Sequence, residues 1–85
     1  MENIIMAYNN SRNPLRALQK RLNNKILIRL KDGTEYKGKL KEYDNFMNVI
    51  LTDASEFNRE KEETEKFDEI FVRGNNVLFI IPDGE

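Results

Sequence analysis

Two short segments of this 85-residue chain carry groups that a plain turn does not need. The first, Asp44-Asn45-Phe46-Met47-Asn48, sets a carboxylate, an aromatic ring and a carboxamide close together. The second, Arg73-Gly74-Asn75-Asn76, sets a guanidinium beside a glycine and two amides. A flat ring, a flat guanidinium and an amide are the groups that hold an unstacked base of single-stranded RNA: its faces are covered by stacking and its edge is read by hydrogen bonds. An asparagine amide offers one donor and one acceptor side by side, which complements the O4 and N3–H of uracil. Cytosine does not present that pair, so an amide held in one orientation discriminates. Arginine supplies stacking and charge together, which lysine does not. The expectation is that the two turns meet in space and hold a nucleobase. Each residue also has a plainer use: Phe46 as core packing, Asp44 and Asn48 as turn formers, Arg73 as half of a cross-strand ion pair.

The elements that must position these groups are legible as periodicities. Asn13-Pro14 gives a helix start, a capping side chain followed by proline at the first helical position. Leu15, Leu18 and Leu22 then form one apolar stripe on a helix of about two to three turns, with Arg16, Lys20 and Arg21 off it. Asn23-Asn24 can end that helix, because asparagine tolerates the left-handed conformation. Ile26, Ile28 and Leu30 alternate with Leu27, Arg29 and Lys31 as in a half-buried strand. Asp32-Gly33 marks a hairpin turn. A second strand runs from Thr34 to Tyr43, with Tyr36, Gly38 and Leu40 on one face and three lysines on the other. Glycine inside so long a strand marks a bend. A third strand puts Met47, Val49 and Leu51 inward. Residues 53–66 read as a charged loop, solvated or drawn out as a charged hairpin extension, with six acids and three bases. Two further strands, Phe67 to Val72 and Asn76 to Ile81, are apolar on successive residues and so should be covered on both sides. In so short a chain, one of those covers is expected to be another copy of the protein; left open, the edge invites aggregation. The fold class expected is mainly β: an N-terminal helix, then a five-stranded, strongly bent antiparallel sheet, in a single domain over residues 1–85 with 1–11 as a flexible lead-in.

Composition narrows the function. A chain this short buries only about 60% of the surface it exposes when unfolded, so association is one common source of stability. There is no cysteine and no histidine, which removes disulfides, thiolate metal sites, the commonest zinc ligand and the commonest general base. Neither a cofactor nor a metal is expected, and the lack of cysteine suits a reducing cytoplasm. Nothing in Met1 to Ser11 resembles a secretory leader, and the longest apolar run, Val77 to Ile81, is too short to span a bilayer. Net charge is −1, but residues 12–41 hold ten bases against two acids while residues 42–85 hold twelve acids against four bases. Such asymmetry points to a nucleic-acid partner, or else to two halves that balance one another once folded.

The residues quoted above are similar to those of the Sm and Sm-like (LSm) family, in the style of its single-domain archaeal members. The first Sm motif would run from Ile26 to Glu56, with Leu30, Gly33, Gly38, Leu40, Asp44, Met47, Asn48, Leu51, Ala54 and Glu56 at the expected spacing. The second would run from Ile70 to Pro82. The resemblance implies a ring, usually of seven subunits, closed by pairing the fourth strand of one subunit with the fifth of the next. It implies single-stranded uridine-rich RNA at the pore, one base per subunit, and a scaffold or chaperone role in RNA processing. Carried over by position, Phe46 would stack on the base, Asn48 would bond its edge, Arg73 would cover the other face, Asp44 would orient Asn48, and the Gly74-Asn75 backbone would approach the base. Many archaeal relatives have histidine where Phe46 stands and aspartate where Asn75 stands; phenylalanine keeps the stacking and drops a polar contact.

Two other functions compete. A small barrel could serve as a protein-interaction module through its strand edges and acidic loop, without RNA. An enzyme could use the Glu60, Glu62, Glu63 and Glu65 cluster as paired carboxylates, but a solvated, sign-mixed loop has no burial to shift a pKa, and no catalytic residue is expected.

Overall fold

The computed structural model describes residues 6–7 and 14–83. Its elements in chain order are β1 (Met6–Ala7), α1 (Pro14–Gln19), β2 (Lys25–Leu30), β3 (Glu35–Tyr43), β4 (Val49–Phe57), β5 (Glu63–Val72), a 3-10 turn (Gly74–Asn76) and β6 (Val77–Pro82). All the strands join one antiparallel sheet in the order β1-β6-β2-β3-β4-β5. The expected helix and five long strands are present. The sheet gains a sixth, two-residue strand from the lead-in, where Met6 and Ala7 pair with Ile80 and Phe79; the rest of residues 1–11 and the capping Asn13 lie outside the described residues.

The helix is shorter than its leucine stripe implied. Leu18 is fully buried, but Leu22 is exposed, because the chain tightens after Gln19: Arg21 N–H donates to the Leu18 carbonyl at 2.9 Å. Asn23 then takes the left-handed φ of 68° that ends the turn. Its N–H donates to the Leu40 carbonyl at 2.7 Å, and the Leu40 N–H donates to the Asn24 carbonyl at 3.0 Å. A six-residue helix has no stability of its own; these two backbone bonds and Leu18 fasten it to β3.

Alternation along the strands builds a single core from Leu18, Ile26, Ile28, Leu40, Val49, Leu51, Ala54, Val72, Val77 and Ile80. The bend expected at Gly38 is there, but the extra residue sits in the partner strand. The β3–β4 register shifts between Lys37 and Lys39, and Asp53 in β4 takes φ 50°. Gly38 passes so close to β4 that a Cβ would lie 3.0 Å from the Thr52 carbonyl oxygen and 3.1 Å from Ala54. A second shift between Leu40 and Glu42 adds to the curl, as bulges do.

Residues 53–66 are not a loop. β4 continues to Phe57 and β5 begins at Glu63, so the charged segment is the hairpin extension, turning at Asn58–Glu62. Its tip folds back on the β2–β3 turn: Arg59 Nε donates to the Asp32 carbonyl at 2.8 Å and Lys61 Nζ donates to Glu35 at 2.7 Å. Glu35 is buried and also receives Arg29. Burial pushes its carboxyl up, but the bonds from Lys61 and Arg29 outweigh that and hold it below its ordinary value. No helix among the described residues is long and apolar enough to cross a membrane.

Candidate nucleic-acid interface

The β3–β4 connection is a five-residue turn drawn together by one carboxylate. Asp44 Oδ1 accepts the N–H of Phe46 at 2.8 Å and of Asn48 at 3.0 Å. Met47 donates its N–H to the Asp44 carbonyl at 3.1 Å and sits at φ 64°, which turns its side chain inward onto the core. That rotation leaves Phe46 outside, 80% exposed. The plainer reading of Phe46 as core packing is therefore wrong for this chain: Met47 does the packing and Phe46 is free.

Asn48 is fixed at both ends of its amide. Nδ2 donates to Asp44 Oδ2 at 2.9 Å, and Oδ1 accepts the N–H of Gly74 at 2.8 Å. These partners settle the orientation, since a carboxylate only accepts and a backbone N–H only donates. One N–H and one lone pair remain without a partner among the described residues. Asp44 is held below its ordinary value of 3.8, first by the Asn48 side chain and then by the two backbone N–H groups.

The second turn reaches this site by backbone contact. Arg73 is extended, and the chain then makes one 3-10 turn closed by Asn76 N–H to the Arg73 carbonyl at 3.1 Å. A Cβ on Gly74 would stand 2.1 Å from the Phe46 carbonyl oxygen and 2.9 Å from the Met47 carbonyl carbon. Only glycine admits that approach. The two turns, 26 positions apart at Asn48 and Gly74, thus form one site. Phe46, Asn48, Phe71, Arg73 and Asn75 line a common open groove. Among the described residues Arg73 makes no salt bridge, so the cross-strand ion pair is not its role here. All six residues singled out in the sequence are brought together. Phe71 was not singled out: it read as one of three consecutive apolar strand residues, and only its 58% exposure separates it from them.

Fold and site define a class: a small, open, strongly bent β-barrel with an oriented amide, an exposed ring and a guanidinium that makes no salt bridge among the described residues. The chain belongs to the LSM domain family, whose model matches residues 16–82. An Sm-like protein of Methanosarcina barkeri is 41% identical over 69 residues, covering 81% of this chain and 94% of that one. Among solved structures, the Pyrococcus abyssii Sm protein in complex with a uridine heptamer superposes with a TM-score of 0.79 at 37% identity, over 84% of this chain and 99% of that one. A P. aerophilum Sm heptamer gives 0.78 at 32%, over 89% and 100%.

Proposed function

We propose that the protein assembles into a ring, heptameric as in the P. aerophilum relative, that binds single-stranded uridine-rich RNA at its pore and acts as a scaffold or chaperone in RNA processing. The observation that carries this is the Asn48 amide, locked by Asp44 and Gly74 with one donor and one acceptor left over. Uracil fills that pair with O4 and N3–H; cytosine offers a donor at position 4 and an acceptor at N3, the reverse order. Phe46 and Arg73 stand ready to cover the two faces of the base, and Asn75 lines the opening. Such stacking is worth roughly 1–3 kcal/mol per base, and repeated sites around one pore reinforce one another through effective concentration.

Assembly follows from the sheet edges. Among the described residues β5 is bonded to β4 alone and its other edge is unpaired. Among the described residues the outer edge of β6 is paired at Phe79 and Ile80, by the two residues of β1. Pairing β5 of one subunit with β6 of the next exchanges that short contact for a longer ladder, and the contact closes by rotation. The chain carries out no chemistry of its own in this reading. Native mass spectrometry with and without a short uridine oligomer tests it: a ring that takes up the oligomer is expected, with affinity falling as salt rises. A monomer, or a ring indifferent to uridine, refutes it and leaves the protein-interaction module.

A further inference from the structure

The charge asymmetry between the two halves of the chain becomes a polarity across the sheet. β5 lies at one end, and β6, with β2 directly behind it, lies at the other beneath the two residues of β1. β5 carries four acids, Glu63, Glu65, Asp68 and Glu69, against the single base Lys66, and all five are exposed. β6 has no charged side chain. β2 and the residue after it carry Lys25, Arg29 and Lys31 and no acid.

Ion pairs within the chain leave this polarity standing. Glu69 meets Lys41 at 3.1 Å and Glu63 approaches Lys66 at 3.7 Å, but both are exposed pairs, which are worth little. Glu65 and Asp68 make no salt bridge among the described residues. At the other end Arg29 holds Glu35 and also lies over the Phe79 ring of β6, 5.4 Å from its centre, so its charge leans towards the outer strand. Lys61 bonds the same carboxylate, and two cations sharing one anion keep a positive charge.

A sheet with two ends can associate in three ways: β5 on β5, β6 on β6, or β5 on β6. The first two are two-fold contacts and the third runs head to tail. Backbone groups alone do not choose, because any sheet edge offers the same N–H and C=O groups. Charge does. β5 on β5 sets acid against acid, and β6 on β6 brings two basic β2 strands within about 15 Å of each other. β5 on β6 instead places the acids about 10 Å from the neighbour's β2, a gap that a glutamate and a lysine or arginine span together.

We infer that this polarity selects the partner edge: the acidic edge of one copy is recognised by the basic edge of a second copy, which favours head-to-tail closure and rejects the two-fold pairings through like-charge repulsion. This rests on the ring reading above and adds to it what directs each edge to its mate.

The test uses the full chain in two double variants, Glu65→Lys with Asp68→Lys and Lys25→Glu with Lys31→Glu, each of which reverses the sign of one edge. All four positions are exposed in the single chain, and none lines the groove at Asn48. Sedimentation and native mass spectrometry are read at about 50 mM and about 500 mM salt, with circular dichroism as the check of folding. The unmodified chain is expected to form a ring whose half-assembly concentration rises with salt. Each variant alone is expected to need at least about tenfold more protein to assemble at the lower salt. Mixed, the two are expected to restore rings containing equal numbers of both chains, because only strict alternation sets every acidic edge against a basic one. Should a double variant fail to fold, Asp68→Lys and Lys25→Glu take the same mixing test. Either variant assembling alone as readily as the unmodified chain, or a mixture that gives no rings or unequal numbers of the two chains, overturns the inference. An unmodified chain that stays monomeric at both salt concentrations removes the ring reading itself.

Discussion

The close approach of Gly74 to the Phe46 carbonyl makes a demanding prediction. Replacing Gly74 with alanine places a methyl 2.1 Å from that oxygen, a backbone atom with no rotamer by which to escape. The turns must part by about 1 Å to reach a tolerable contact, and displacements of that size in a binding or reacting geometry cost on the order of 100-fold. Parting them also stretches the bond from the Gly74 N–H to Asn48 Oδ1, which unlocks one end of the amide and removes about 1 kcal/mol of stability. Affinity for a fluorescein-labelled uridine heptamer, read by anisotropy at fixed salt, should fall about 100-fold, and strain should remove about 1–3 kcal/mol of stability. Gly38→Ala is the control. Its methyl would crowd Thr52 and Ala54 at 3.0–3.1 Å, far from the groove, so it should lower the melting temperature and spare affinity. Wild-type affinity in Gly74→Ala, or equal loss of affinity in both variants, would refute the argument that this contact aligns the site.

Other predictions follow from individual side chains. Asn48→Ala and Arg73→Ala should each weaken uridine-oligomer binding about tenfold or more with the native mass unchanged, and Arg73→Lys should fail to restore it; full affinity in both alanine variants removes the site assignment. Asp44 is held below its ordinary value, so its contribution is complete above that value and is lost as pH falls through the lowered one. Binding should therefore stay level down to about pH 4 and decline below it, and a midpoint above that would contradict the bonds drawn to Asp44. Glu35→Ala strands the half-buried Arg29 without its partner and should cost about 2–3 kcal/mol, measured at one protein concentration because the proposed ring assembly would make melting concentration-dependent. Phe79→Asp puts a charge on β6 at its outer edge pairing and should shift the native mass to smaller species; an unaltered mass would count against strand pairing there.

Local signals were legible wherever a residue's own chemistry decides the backbone. Asn23 in the left-handed region, the Asp32-Gly33 turn with Gly33 at φ 97°, and the bend at Gly38 all belong to that class. For residues 53–66 the sequence left loop and hairpin extension both open, and the reason is physical. Beyond Ala54 the side chains of this segment are mostly solvated on both faces, so burial imposes no alternation of the kind that marks a strand. It even sets Glu56 directly opposite Glu65, a like-charge pair that disfavours pairing. Glu56 is drawn aside by the Tyr36 hydroxyl at 3.2 Å and the Thr64 hydroxyl at 3.1 Å, and the tip is fastened by Arg59 and Lys61 to the distant residues Asp32 and Glu35. Contacts of that range leave no trace in local pattern. The same holds for the lock on Asn48: an asparagine after a turn announces an amide, but not that Gly74 will orient it.

A comparison within the molecule shows where the specificity of the site resides. The turns Asp44–Asn48 and Asn58–Glu62 have one backbone design. In each the first side chain's Oδ1 accepts the N–H groups two and four residues on, the fourth residue is left-handed, Met47 at φ 64° and Lys61 at 68°, and the first and fifth side chains are bonded. Asp44 and the strained Met47 are thus accounted for by turn geometry alone. What differs is the polarity of the last bond. In the second turn the amide is at the head, where Asn58 spends its oxygen inside the turn and the carboxylate of Glu62 is at the tail. In the first, the carboxylate closes the turn and the amide is displaced to the tail, where its oxygen is free to receive Gly74 and one donor and one acceptor are left over. Exchanging the two roles would preserve the fold of the turn and abolish the oriented amide. The proposed recognition surface is therefore made by which end of a common turn bears the carboxamide, together with a glycine 26 positions away that can come close enough to hold it.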